Sequence, residues 1–194
     1  MDSYDYASYE YLKHCLYVEV INSNNKKFSW RRTLLRAYSY PDRRFIFWWR
    51  IANYFYHKKS LRMKRFSEYI NHKLTSKYGA DIELGTKIAP GFTSPHLIGI
   101  VINRISIIGA NFHIRQNTTI GTSGSRIHNK TSEKQFIKIG DNVEIGANSC
   151  IIGDNLTIGN NVIIGAMSFI NKDIPDNCVC YTKKENKIII SNIK

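Results

Sequence analysis

Isoleucine sets the rhythm of the second half of the chain. Ile82 and Ile88 open a six-residue spacing, and Ile102, Ile108, Ile114 and Ile120 hold it in one phase. Ile139 and Ile145 resume it after a gap, and Ile152, Ile158, Ile164 and Ile170 complete it after a slip of one residue. Seven of these isoleucines are followed directly by glycine. A period of six fits neither an α-helix nor plain strand alternation. It fits a parallel β-helix, in which each hexapeptide is a short strand and a corner. The isoleucine points inward onto its equivalent in the next coil, while a small residue, Asn or Asp eases the turn. With three strands per coil and about 18 residues per turn, roughly five coils are predicted.

The pattern before residue 79 has a different period. In residues 43–58, Phe45, Trp48, Trp49, Ala52 and Phe55 recur at steps of three and four behind Pro41 and Asp42, which predicts a helix. Residues 61–77 repeat the theme with Phe66, Tyr69, Ile70 and Leu74, and Gly79 stands where a glycine ends a helix. Residues 1–25 leave room for one more. The predicted organisation is a helical, basic and aromatic region (1–78), a β-helix (79–177) with a polar loop at 122–137, and a C-terminal tail (178–194). The fold class is α+β.

Composition sharpens that boundary. All 12 glycines lie from Gly79 to Gly165. Of the net charge of +13, residues 1–78 carry 16 Lys+Arg against 6 Asp+Glu, a net of +10. Cations beside Trp, Phe and Tyr suit a helix lying on anionic lipid, and equally suit aromatics packed on neighbouring helices with solvated cations. Nucleic acid is not an expected partner, because no recognised binding module accompanies the charge. No apolar run approaches the ~20 residues that span a bilayer. The N-terminus lacks the basic and apolar regions of a secretory signal. Four cysteines without a CxxC pair fit a reduced, cytoplasmic setting.

Two stretches resemble a known family. YGADIELGTKIAPGFTSPHLIGIVIN (78–103) and IGDNVEIGANSCIIGDNLTIGNNVIIGAMSFINKDIPDN (139–177) resemble the left-handed β-helix acyltransferases. The likeness is greatest to the serine acetyltransferase branch and its relatives in bacterial capsule and exopolysaccharide gene clusters, and covers about residues 40–177. The resemblance implies a left-handed coil, a homotrimer with active sites between subunits, acetyl-CoA as acyl donor and no metal. It implies that His96 is the general base and that Asp81 orients it, an arrangement in which a carboxylate fixes the imidazole tautomer. His128, in the polar loop, is the runner-up base, because a related sugar acetyltransferase branch takes its histidine from a comparable loop. His113 is read as packing or surface. The final coils imply a pantetheine groove with Ala147 and Ala166 beside it, and Lys183 and Lys184 either near the CoA phosphates or merely solvated.

The acceptor is read from departures. The serine branch carries Asp-Arg-His-Pro-Lys-Ile after its loop, where this chain has Lys134-Gln135-Phe136-Ile137-Lys138-Ile139. Pro95 stands where that branch has an acidic contact. A zwitterionic serine would lose its charged partners. The expected reaction is acetyl transfer to a sugar hydroxyl of a bacterial capsule, O-antigen or exopolysaccharide, as polymer or lipid-linked unit. The expected place is the cytoplasm, peripherally on the inner face of the cytoplasmic membrane. Serine O-acetylation in cysteine biosynthesis is the alternative, and a non-catalytic β-helix scaffold is the alternative of another class.

Overall fold

The computed structural model describes residues 4–23, 27–124, 135–183 and 185. Four α-helices come first: α1 (Tyr9–Leu16), α2 (Trp30–Ser39), α3 (Pro41–Tyr56) and α4 (Leu61–Tyr78). A π-helical turn, Tyr17–Ile21, extends α1. Pro41 starts α3, where its fixed φ suits the first helical position and its missing N–H costs nothing. Gly79 closes α4 with φ of +63°, a left-handed conformation that glycine adopts freely. Both predicted helices are present within one or two residues. The helix α2 was not predicted.

The two long helices bury unequal faces. Phe45, Ile46, Phe47, Trp49, Arg50, Ala52 and Asn53 of α3 are buried, whereas α4 buries only Ser67, Ile70 and Leu74. Of the aromatic run Phe47–Trp49, Phe47 and Trp49 are therefore core residues, as the packed alternative for these aromatics expects. Trp49 is fully enclosed and its Nε1–H donates to the Ile82 carbonyl at 3.1 Å. Trp48 alone of the three is exposed.

From Asp81 the chain winds through thirteen short parallel strands as a left-handed β-helix. The first sheet is β1 (Asp81–Ile82), β3 (Val101–Ile102), β6 (Thr119–Gly121), β9 (Cys150–Ile152) and β12 (Phe169–Ile170). The second is β2 (Lys87–Ile88), β4 (Ser106–Ile108), β7 (Phe136–Ile139) and β10 (Asn155–Ile158). The third is β5 (His113–Ile114), β8 (Glu144–Ile145), β11 (Ile163–Ile164) and β13 (Val179–Cys180). Five strands in the first sheet correspond to the five predicted coils. The core is three vertical stacks: Ile82–Ile102–Ile120–Ile151–Ile170, Ile88–Ile108–Ile139–Ile158, and Ile114–Ile145–Ile164–Cys180. The third stack continues past residue 177, so Cys180 completes the ladder rather than opening a tail.

One rung differs from the sequence reading. Ile151, not Ile152, points inward and pairs with Ile120 and Ile170. The extra residue that makes the slip sits after it, at the corner Gly153–Asp154. There the Asp154 carboxylate accepts from the Ser123 N–H at 3.2 Å and hydroxyl at 2.7 Å, at the point where the polar loop leaves the preceding coil. Despite that loop, Ile120 and Ile151 remain in register, 31 positions apart where Ile102 and Ile120 are 18 apart.

Asparagines hold another corner. Asn111, Asn142, Asn161 and Asn177 all have positive φ, and each of the first three donates its side-chain amide to the next, at 2.9, 2.9 and 2.8 Å.

The helices cap the open first coil. Glu19 accepts from Arg50 Nε and Nη2 at 2.8 and 2.5 Å and from the N–H groups of Gly91 and Phe92, each at 3.0 Å. Arg50 also donates to the carbonyls of Ile88 and Ala89. Asn53 bonds Thr86 and Gly85, and the Tyr11 hydroxyl donates to Ile88. These side chains satisfy backbone groups at a sheet edge that would otherwise be an open pairing template. Burial works against the Arg50 charge, but the enclosed Glu19 carboxylate, bonded to two of its nitrogens, holds the guanidinium ionised. Burial also pushes the Cys15 thiol up to about 12.

Candidate active site

The corner between the third and first sheets carries residues 95–100. Two backbone bonds tie its end to the start of the solenoid: Gly99 N–H to the Gly79 carbonyl, and Asp81 N–H to the Ile100 carbonyl, both 2.7 Å. The Ser94 hydroxyl bonds the His96 carbonyl at 3.1 Å. His96 is thus held through its backbone while its imidazole stays exposed. It opens into a cavity of about 610 Å³ shared with Asp42, Lys77, Tyr78, Ile98 and Gln116.

Asp81 is the first residue of β1 and faces outward. It lines a second cleft of about 370 Å³, with Tyr56, Glu68, His72, Glu83 and Arg104. Among the described residues, neither the Asp81 carboxylate nor the His96 imidazole makes a side-chain hydrogen bond. The two stand on segments stapled together, but their side chains line different clefts in the single chain.

Of the other expected residues, Ala147 and Ala166 lie on the His96 corner, where Ile98, Gln116, Ala147, Ala166 and Tyr181 succeed one another coil by coil. The steps are marked by bonds from Asn117 N–H to Ile98, Asn148 N–H to Gln116, and Met167 N–H to Ala147, with Thr182 N–H bonding Ser168 Oγ below. Four such steps at the ~4.8 Å strand spacing span about 19 Å. Lys183 lies at the far end, exposed, 3.6 Å from Glu185. Small residues along a corner that starts at His96 and ends near a lysine fit an extended acyl carrier. His128 and Lys184 lie outside the described residues.

The positions that set the acceptor expectation are elsewhere. Gln135 and Phe136 enter β7, on the corner between the first and second sheets. Within one chain they do not line the His96 cavity. His113 bonds Thr93 Oγ1 through Nδ1 at 2.9 Å, a packing role. Burial lowers its pKa, with Glu144 acting upward and Arg115 downward. Sequence reasoning did not assign Asp42, Lys77, Tyr78 or Gln116 to the cavity. The first three come from the helical region, and no periodicity links them to the coils.

A left-handed β-helix with a helical lead-in defines a class, and comparisons with known proteins agree with it. A family model for the bacterial transferase hexapeptide, six repeats, matches residues 136–172. The chain is 39% identical over 106 residues to the mitochondrial serine acetyltransferase 3 of Arabidopsis thaliana, covering 55% of this chain and 26% of that protein. It is 35% identical over 113 residues to the putative colanic acid biosynthesis acetyltransferase WcaB of Escherichia coli, covering 58% and 65% respectively. The solved structure of serine acetyltransferase isoform 3 from Entamoeba histolytica, in complex with cysteine, superposes with a TM-score of 0.72 at 26% identity. That match covers 94% of this chain and 61% of the other. The chain thus carries repeats of the bacterial transferase hexapeptide type and is similar to serine acetyltransferases and to a colanic acid biosynthesis acetyltransferase. It spans about a quarter to two thirds of the length of these relatives.

Proposed function

We propose that the chain is an acetyl-CoA-dependent O-acetyltransferase of the serine acetyltransferase type. The observation that carries this reading is the exposed, unbonded His96 at the head of the Ala147–Ala166 corner, on a fold shared with a serine acetyltransferase across 94% of the chain. His96 takes the acceptor hydroxyl proton as the oxygen attacks the thioester carbonyl. It then returns the proton to the departing thiolate, giving an O-acetyl ester and free thiol. Asp81 is the positioning residue. Its strand is bonded to the His96 corner through the Asp81 N–H and the Ile100 carbonyl, and catalytic hydrogen bonds tighten when substrate binds. The two ends of the polar loop, at Gly121–Gly124 and Gln135, stand on a different corner of the prism from His96. A homotrimer would bring a neighbour's loop corner to His96, which supports a site shared between subunits.

For the acceptor, the relatives favour L-serine over the sugar expected from the sequence. Serine O-acetylation is therefore the first reading. A sugar hydroxyl remains the second, favoured by Pro95 beside His96, by Gln135 and Phe136, and by the likeness to a colanic acid biosynthesis protein. Thiol release from acetyl-CoA, measured with L-serine and with a panel of sugars and lipid-linked sugars, separates the two. In either case His96→Ala is expected to lower turnover about 10²–10⁴-fold while calorimetry shows donor binding retained. Asp81→Asn is expected to lower it by less, with the fold intact. Turnover with no acceptor, or full activity of His96→Ala, would overturn the assignment.

A further inference from the structure

The helical face beside the His96 cavity carries a second feature. A groove of about 270 Å³ runs between α3 and α4. Its floor is Ile70 and Leu74, its walls are Trp48, Tyr69 and Tyr78, and Arg44, Lys73 and Lys77 stand around it. No carboxylate lines it, whereas the neighbouring cleft holds Glu68, Asp81 and Glu83. Glu68, the one acidic residue of α4, faces that other cleft, where Lys64 and Arg104 stand beside it, and leaves the groove with basic side chains alone.

Three observations extend the groove into a surface. Phe66, Tyr69, Lys73 and Lys77 follow one another at steps of three and four, so they share a face of α4. Phe66, Tyr69 and Trp48 are exposed at 51%, 60% and 42%. Arg44 lies over the ring of Tyr38, itself 79% exposed, which carries the aromatic surface on to α2. The positive charge is also uncompensated. Residues 26–77 hold 15 Lys+Arg against Asp42 and Glu68, and among the described residues of that stretch only Arg50 has a carboxylate partner.

We infer that the α3–α4 face docks on an anionic phospholipid surface, with Trp48 and Tyr69 at headgroup depth and Arg44, Lys73 and Lys77 on the lipid phosphates. Exposed aromatics with an apolar floor, ringed by cations, match the interface between headgroups and acyl chains, where aromatic rings and basic side chains partition together. A compact anion alone would not call for the apolar floor. Lys77 and Tyr78 line both this groove and the His96 cavity, so docking would hold that cavity at the membrane surface.

The test is sedimentation of the full chain with vesicles of phosphatidylcholine alone or mixed with phosphatidylserine, at low and high salt. It needs no turnover, so its outcome is independent of the proposed reaction. Pelleting is expected only with the anionic vesicles, and to fall as salt rises. Lys73→Gln should weaken partitioning about fivefold, the share of one cation near such a surface. A blue shift of tryptophan emission on binding should be lost in Trp48→Phe, with circular dichroism confirming the fold of each variant. Absence of pelleting at low salt would overturn the proposal. So would pelleting indifferent to Lys73→Gln, a blue shift that persists in Trp48→Phe, or equal binding to neutral vesicles.

Discussion

The helical region and the β-helix are stabilised in opposite ways. The solenoid repeats one solution: an isoleucine under an isoleucine, an asparagine amide under an asparagine amide, coil after coil. The helices rely on contacts that occur once, above all the enclosed Glu19–Arg50 pair and the Trp49 bond to Ile82. Repetition spreads stability over many similar contributions, whereas a unique contact concentrates it. Damage to the first should be graded, and damage to the second abrupt.

The largest expected effect is therefore at the junction. Glu19→Ala leaves Arg50 charged and enclosed without its partner and orphans the Gly91 and Phe92 N–H groups. The expected loss is about 3–5 kcal/mol in urea unfolding. Glu83→Ala, which removes the partner of the exposed Arg104, should cost at most about 1 kcal/mol. Equal losses at the two sites would break the contrast. In the solenoid, Ile145→Ala empties one rung between Ile114 and Ile164 and should cost about 2–5 kcal/mol. A single transition by both fluorescence and circular dichroism would show that the coils transmit the damage cooperatively. Asn142→Ala loses its bonds to Asn111 and Asn161 and places a side chain unsuited to φ of +56°, for about 1–3 kcal/mol. Asn142→Gly keeps the turn and should cost less. If the two variants were equally stable, the amide ladder would account for the whole effect.

The smallest effect is on pH dependence, and it has a histidine on each side of the comparison. His57 closes α3 with Nε2 buried and without a hydrogen-bond partner among the described residues, and His113 lies on β5. Burial lowers the pKa of both. For His57, Lys87 adds to this and Asp5 opposes it; for His113, Glu144 opposes it and Arg115 adds to it. The folded state thus prefers the neutral rings. Below the ordinary 6.5 the unfolded chain binds the proton first, so stability should fall as pH drops from there through the folded values, and be flat above. Thermal melts of His57→Gln and His113→Gln should each show a shallower acid slope than the parent. A parent stability that rises on acidification over that window would contradict this.

The same contrast explains what the sequence revealed. A period of six announces a β-helix because every coil repeats the evidence, and α3 and α4 carry clear start and stop residues. Ile152-Gly153 imitated the repeat while Ile151 did the packing, since an added corner residue is invisible when two isoleucines adjoin. The helix α2 has no strong cap and buries only Thr33 and Ala37, so its pattern is faint. For the candidate site, a motif singles out His96 and Asp81. The other residues of the His96 cavity carry no such signal, because Asp42, Lys77 and Tyr78 reach the coil through the packing of α3 and α4, which leaves no mark in local spacing. Arg50 likewise carries no local mark of its partner, since Glu19 lies 31 positions away.

The corner between the first and second sheets absorbs two irregularities of the solenoid, the long interruption after Gly121 and the added residue at Gly153–Asp154, and Ile139 and Ile158 still stack beyond them. It acts as an expansion joint. Length added there is taken up outside the ladder, so a reporter peptide spliced just after Gly121, or new termini opened at that corner, should leave the coils wound as before. The same property makes it the edge along which descendants of this chain can acquire new recognition loops while the scaffold stays unchanged.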